Sequence, residues 1–265
     1  MTTASAQRVT PARVVLSEWT KLRSLRSTMF SLLTVVGFIL GFSILVPAVV
    51  AAHWPPPDAR DVATFDPVGV SLAGGFLAQL AIGVLGVLVI TGEYATGMIR
   101  ATLAAVPKRL PVLWAKALVY GLTSLVLTVP SMLAAFFIGQ SILASQHIET
   151  TFGATGVART VFGSALYLTG VGLLGLGLGA LIRNTAGAIS TLFGVLFVVP
   201  IVVHFLPSTW SDAIGKYLPS NAGQVITSVK PDPTQLGPWT GLGLFFLYAA
   251  VVLVLAAVGL VRRDA

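Results

Sequence analysis

The stretch Gly92–Arg109, GEYATGMIRATLAAVPKR, holds the residues of this chain most suited to chemistry or to binding a partner. It begins with a carboxylate, Glu93, at the end of a long apolar run, and it ends on a basic pair. Met98 and Ile99 lie between these charges, as apolar residues that some other surface must cover. A short helical segment with such residues is suited to docking in a groove of a partner protein. Packing on the membrane surface is the alternative, and Glu93 alone could simply be solvated.

Other motifs that suggest catalysis lack the context that they require. GVGLLG at Gly170–Gly175 has the glycine spacing of a dinucleotide site, but that motif needs a strand before it and a helix after it, and here it lies within an apolar run. The sequence has no phosphate-binding GxxxxGK[ST] loop, no HExxH and no GxSxG, and its histidines are scattered. We therefore expect no catalytic site, no metal site and no bound cofactor in this chain, which would not be an enzyme.

The composition is that of an integral membrane protein. The 265 residues are 55% hydrophobic and only 9% charged, whereas soluble domains carry about 25% charged residues. The net charge of +7 could suggest nucleic-acid binding. The basic residues mostly flank apolar runs, however, as they do at the cytoplasmic face of a membrane, so no nucleic-acid partner is expected.

Six uncharged runs are long enough to cross a bilayer as helices, which need about 20 apolar residues. They are Met29–Ala52, Val70–Gly92, Ala117–Ala144, Thr160–Ile182, Thr185–Leu206 and Pro238–Val261. The prediction is an all-α membrane protein with one domain over residues 1–265 and six transmembrane helices, at 29–52, 70–92, 117–144, 160–182, 185–206 and 238–261. No run contains a charged residue, which argues against an ion pump, a proton-coupled transporter or an intramembrane enzyme. Pro130 and Pro200 each predict a kink.

The distribution of basic residues predicts the orientation. Most of the 16 Lys and Arg residues lie before Met29, between the second and third runs, or after the sixth. The positive-inside rule then places both termini and residues 93–116 in the cytoplasm, and residues 207–237 outside. Within the tail 1–28, Ala12–Arg26 repeats Val15, Trp19 and Leu22 at helical spacing, which predicts an amphipathic helix in the membrane interface. Glu18 falls near that apolar face, and a solvated basic tail is the alternative.

Two further segments carry structural predictions. Gly172, Gly175 and Gly179 share one helix face, and small residues at such spacing let another helix approach closely, within the subunit or between subunits. The outer loop is amphipathic and predicts short helices broken at Pro219. Trp210, Tyr217 and Leu218 are the candidates for an outer gate if this chain forms a transport pathway.

The order of these features resembles the membrane subunits of bacterial ABC transporters of the ABC-2 type, the half-size export permeases. The matching positions in the cytoplasmic loop are Glu93, Tyr94, Gly97, Arg100, Leu103, Pro107, Arg109 and Lys116. The stretch Ser17–Thr28 resembles the segment that leads into the first span of such permeases, and Tyr217–Gly223 resembles their outer-loop helices. Met98 departs from the pattern, in which a threonine is common.

The resemblance implies a permease subunit of the bacterial cytoplasmic (inner) membrane that forms a homodimer or heterodimer. Each subunit would dock a separate ABC ATPase, and that partner would bind ATP and Mg²⁺. The coupling helix would be formed by Glu93, Tyr94, Thr96, Gly97, Met98, Ile99, Arg100 and Leu103. The residues do not identify a substrate. A six-span scaffold or assembly factor outside the ABC class is the alternative.

Overall fold

The computed structural model describes residues 10–56, 58, 60, 62, 64–99, 102 and 109–262, and within these residues the chain is helical without strands. The helices are α1 Pro11–Ser24, α2 Arg26–Ala52, α3 Pro67–Ser71, α4 Gly74–Ala95, α5 Leu110–Leu143, α6 Val157–Ile182, α7 Thr185–Phe193, α8 Val199–His204, α9 Ser208–Gly215, α10 Pro219–Gln224 and α11 Pro238–Arg262. A π-helical turn, Gly194–Val198, joins α7 to α8, and single 3₁₀ turns follow α5 and α10.

Among the described residues, six helices are long and apolar enough to cross a membrane, which confirms the predicted all-α fold with six such helices. They are α2, α4, α5, α6, the continuous α7–α8 and α11. Several bounds differ from the predicted runs, since α2 begins at Arg26, α4 extends to Ala95 and α5 begins at Leu110. Hydropathy marks only the part of a helix that suits lipid. The backbone hydrogen bonds continue beyond that part until a residue breaks them.

Helix α6 lies at the centre of the bundle and packs against α4, α5 and α11. Its glycines lie at these contacts. A Cβ added at Gly175 would overlap the backbone of Gly83 in α4, and one added at Gly172 would overlap the side chain of Tyr120 in α5. Gly179 faces α4 in the same way. The predicted glycine face is therefore a close helix–helix contact within the subunit.

The fifth apolar helix, α7–α8, lies at the periphery of the subunit. Its π-helical turn directly precedes Val199 and Pro200. A proline lacks the N–H that an α-helical turn requires, so the backbone widens where the sequence predicts a kink. The outward residues of this helix are apolar and more than half exposed, as Ile201 and Val202 show. This face is suited to contact with lipid or with a second subunit.

The long helices run antiparallel in sequence order, so the bundle has two ends. At one end, which we call the α1 end, the Arg183 guanidinium donates to the Gly259 carbonyl at 3.0 Å, and Arg109 donates to the Leu260 carbonyl at 3.1 Å. These bonds hold the start of α5 and the C-terminal end of α6 against the end of α11. The Arg183 guanidinium also lies 5.5 Å from the ring centroid of Tyr94, at the end of α4. Helix α1 packs at this end against α5.

Short helices α9 and α10 lie at the opposite end, in the segment predicted to be the outer loop. The predicted break at Pro219 is found, because Pro219 is the first residue of α10. Trp210 lies on α9 and is 61% exposed, while Tyr217 and Leu218 connect α9 to α10. The Tyr248 hydroxyl donates to the Tyr217 carbonyl at 2.8 Å, which ties this connection to α11.

Candidate functional site

Four charged side chains from three helices meet at the α1 end. Glu18 and Lys21 belong to α1, Glu93 to α4 and Lys116 to α5. The Lys116 ammonium lies 2.8 Å from Glu93 Oε1 and 2.5 Å from Glu18 Oε2. The Lys21 ammonium lies 2.7 Å from Glu18 Oε1 and 3.1 Å from Glu93 Oε1. We call these residues the charge cluster, and it links α1 to the ends of α4 and α5.

Three of the four residues of the charge cluster are removed from water. Glu18 is 3% exposed, and Glu93 and Lys116 are each 4% exposed. A buried ion is costly unless it is paired and hydrogen-bonded, and removing one partner of a buried pair typically costs about 3–5 kcal/mol. The cluster carries two acids and two bases and so has no net charge. Its burial is tolerated because each charge faces an opposite one.

Lys21 is the most exposed member of the cluster. Burial alone lowers the pKa of its ammonium, but the hydrogen bond and the charge of Glu18, together with those of Glu93, outweigh burial and raise the pKa above 10.5. The Lys21 ammonium also donates to the Thr102 hydroxyl at 3.2 Å. Lys21 is therefore protonated at neutral pH, and it joins α1 to Glu93 in α4 and to Thr102 in the following segment.

The position of Glu18 corrects the predicted apolar face of α1. The sequence predicts Val15, Trp19 and Leu22 on that face, but the buried residues are Val14, Glu18 and Leu22, and Trp19 is 43% exposed. The buried face differs from the predicted one because it includes the charged residue Glu18. Its carboxylate is neutralised by two lysines, so the charged residue belongs to the buried side of the helix.

Glu93 and Lys116 are predicted to lie in a cytoplasmic loop, but both lie in long helices and are buried. Glu93 belongs to the last turns of α4 and is buried, so solvation does not explain it. Lys116 is not the last residue of a loop but lies in the second turn of α5. The apolar runs themselves are free of charge, as predicted. The helices nevertheless contain buried charges just outside those runs.

The segment after Glu93 turns sharply at Gly97. Its φ of +71° is a conformation that glycine adopts readily, and a glycine in it commonly ends a helix. Glu93 and Tyr94 still belong to the long helix α4, whereas the resemblance assigns both to a separate coupling helix. Thr96 is the C-cap residue of α4, and its hydroxyl donates to the Gly92 carbonyl at 2.9 Å. Arg100 and Leu103 lie outside the described residues.

Met98 and Ile99 face opposite ways. Met98 is 39% exposed, whereas Ile99 is 5% exposed. Ile99 lines a small space with residues of four long helices, among them Ile90 of α4, Val112 of α5 and Ala180 of α6. Ile99 therefore fastens the turn to the bundle, and Met98 remains available on its surface.

A polar contact at the opposite end is absent from the sequence-based candidates. The Tyr167 hydroxyl of α6 donates to Gln79 Oε1 of α4 at 2.8 Å, and Gln224 Nε2 of α10 donates to the Tyr167 oxygen at 3.3 Å. This contact joins the short helix α10 to the core. Gln79 is a polar residue within the second apolar run, and a polar residue in such a run indicates a polar partner or a function.

The sequence matches no protein-family model and no curated protein.

Proposed function

We propose that this chain is the membrane subunit of an ATP-driven exporter of the ABC-2 type, which pairs with a second permease subunit and with a separate ATPase that binds ATP and Mg²⁺. The turn at Met98 and Ile99 is the observation that carries this proposal. One of its apolar residues is exposed and the other is fixed among the long helices. A partner that receives Met98 in a groove would have a direct mechanical connection to the bundle.

The charge cluster gives this connection a second route. The turn follows Glu93 by only a few residues, and Glu93 is bound to Lys116 of α5 and to Lys21 of α1. A displacement of the turn would therefore move α4, α5 and α1 together. ATP binding in the partner would favour one position of the turn, because a ligand shifts a two-state element towards the state that it binds better.

The membrane assignment is part of the same proposal. Six apolar helices make a multi-pass membrane protein. The excess of basic residues in the segments at the α1 end favours the cytoplasm for that end and for both termini, in a bacterial cytoplasmic membrane. The exposed apolar face of α7–α8 is a candidate contact for the second permease subunit.

Co-purification in a mild detergent tests the proposal. A tagged wild-type chain should retain an ATP-hydrolysing subunit, and Met98→Asp should lose it, because the groove that receives an apolar side chain would have to bury a charge. Leu206→Asp is a matched control, since Leu206 is also 39% exposed but follows α8 at the opposite end. It should retain the ATPase.

Two results would contradict the proposal. If no ATP-hydrolysing subunit accompanies the wild-type chain, a scaffold outside the ABC class becomes the better account. If the Met98 and Leu206 variants retain the ATPase equally, the contact lies elsewhere on the subunit.

A further inference from the structure

A cavity of about 340 Å³ lies beside the charge cluster at the α1 end. Its walls come from α1, α2, α4, α5 and the turn that contains Met98. Most of the lining surface is apolar, with Leu22 and Leu85 among the lining residues. Leu25 and Leu88 also line the cavity, yet they are 48% and 41% exposed. The cavity therefore opens to the protein surface beside these two residues. Its volume is at the lower end of the range of about 300–1,000 Å³ that small-molecule sites occupy.

The polar wall of this cavity contains an unsatisfied acceptor. Glu93 lines the cavity and is 4% exposed, and both lysines of the charge cluster bind its Oε1 atom. Its Oε2 atom is buried and has no hydrogen-bonding partner among the described residues. A buried acceptor without a donor is unfavourable, and native structures rarely leave one unexplained. A molecule in the cavity that donates a hydrogen bond would satisfy it.

Charge decides which kind of donor fits. Glu93 already has the Lys21 and Lys116 ammonium groups at its other oxygen, and the cluster has no net charge. A cationic head group at Oε2 would add a third positive charge to a buried site, and an anionic one would face the carboxylate. Both are costly in these surroundings. A neutral hydroxyl or amide N–H satisfies Oε2 without adding charge.

We propose that this cavity binds a neutral single-chain amphiphile. Its hydroxyl or amide head donates to Glu93 Oε2, and its alkyl chain lies along the leucine-lined wall towards the opening at Leu25 and Leu88. The inference concerns a binding site of this chain alone and does not depend on an ATPase partner.

Competition in lipid nanodiscs tests the proposal. A long-chain alcohol with a diazirine on its alkyl chain is photo-crosslinked to the full chain, and mass spectrometry maps the adducts. Unlabelled alcohol, its methyl ether, the corresponding amine and the corresponding carboxylate serve as competitors. The alcohol should suppress adducts at cavity residues such as Leu25 and Leu88 at a roughly ten- to hundredfold lower concentration than the ether, because the ether cannot donate to the carboxylate. The amine and the carboxylate should also be weaker.

Gly92→Phe tests the location without altering the charge cluster. Gly92 lines the cavity, and a Cβ added there meets nothing within 4 Å among the described residues, so a larger side chain has room to occupy the space. It should abolish these adducts. Gly37→Phe is the matched control, because Gly37 also has open space but does not line the cavity, and it should label like the wild type. Glu93→Gln should remove the preference for alcohol over ether.

Two results would overturn the proposal. The first is equal competition by alcohol and ether, which would leave a water molecule as the partner of Glu93 Oε2. Adducts that persist in Gly92→Phe would also overturn it, because the probe would then bind elsewhere. Solvent extraction of the purified protein distinguishes the two sources of such a ligand. A hydroxyl-headed lipid found in wild type and depleted in Gly92→Phe supports the site with a membrane source, whereas alcohol-specific competition without such a lipid supports it with an external one.

Discussion

Replacing Lys116 by methionine tests the charge cluster most severely. The Lys116 ammonium is 4% exposed and holds one oxygen each of Glu18 and Glu93. Methionine keeps much of the volume but leaves both carboxylates with Lys21 as the remaining cation of the cluster. Removing one partner of a buried ion pair costs about 3–5 kcal/mol. At about 2–4 °C per kcal/mol, the apparent melting temperature should fall by roughly 6–20 °C.

The assay is thermal unfolding of the detergent-solubilised protein, followed by the loss of its monodisperse peak in size-exclusion chromatography. Lys230→Met is the matched control, because Lys230 is exposed, and it should change stability by less than about 0.5 kcal/mol. Adding Glu18→Gln to Lys116→Met should recover part of the loss, since it removes one of the unpaired charges. If Lys116→Met is as stable as Lys230→Met, the described cluster does not stabilise this fold.

Three further comparisons give distinct results in the same assay. Gly175→Ala should destabilise by about 1–3 kcal/mol through overlap with α4, whereas Gly37→Ala, with open space around it, should be neutral or slightly stabilising; equal effects would contradict the close α4–α6 contact. Ile99→Ala should cost about 2–4 kcal/mol and Met98→Ala less than about 0.5 kcal/mol, and the reverse order would show that the turn faces the other way. The advantage of wild type over Lys21→Met should be constant between about neutral pH and pH 10.5, where the acids of the cluster are charged, and should shrink as the pH rises through the raised pKa of Lys21; an advantage that grows above pH 10.5 would contradict that shift.

The sequence predicts the six apolar helices well, because a bilayer demands long uncharged segments and these are visible in composition alone. It predicts their ends poorly. The second apolar run ends at Gly92 and the third begins at Ala117, but α4 continues to Ala95 and α5 begins at Leu110. Helical hydrogen bonding does not depend on the lipid boundary, so polar turns extend each helix beyond its apolar run.

The charge cluster could not be predicted from the sequence for a different reason. Glu18, Glu93 and Lys116 are far apart in the chain, and each one alone is consistent with a solvated residue near the membrane. Only the packing of α1 and of the end of α4 beside α5 brings their charges together. The position of Glu18 near the predicted apolar face of α1 is the one local signal, because a charge at a buried helical position requires a partner.

The proposed coupling contact is tested most directly by a photo-crosslinking amino acid placed at Met98 in living cells. The account predicts a crosslink to a subunit that carries a phosphate-binding loop, with a yield that changes when ATP hydrolysis is blocked. The same amino acid at Leu206, which has equal exposure at the opposite end, should give no such product. A Met98 crosslink only to lipid, or to a protein without ATP-binding motifs, would contradict the account.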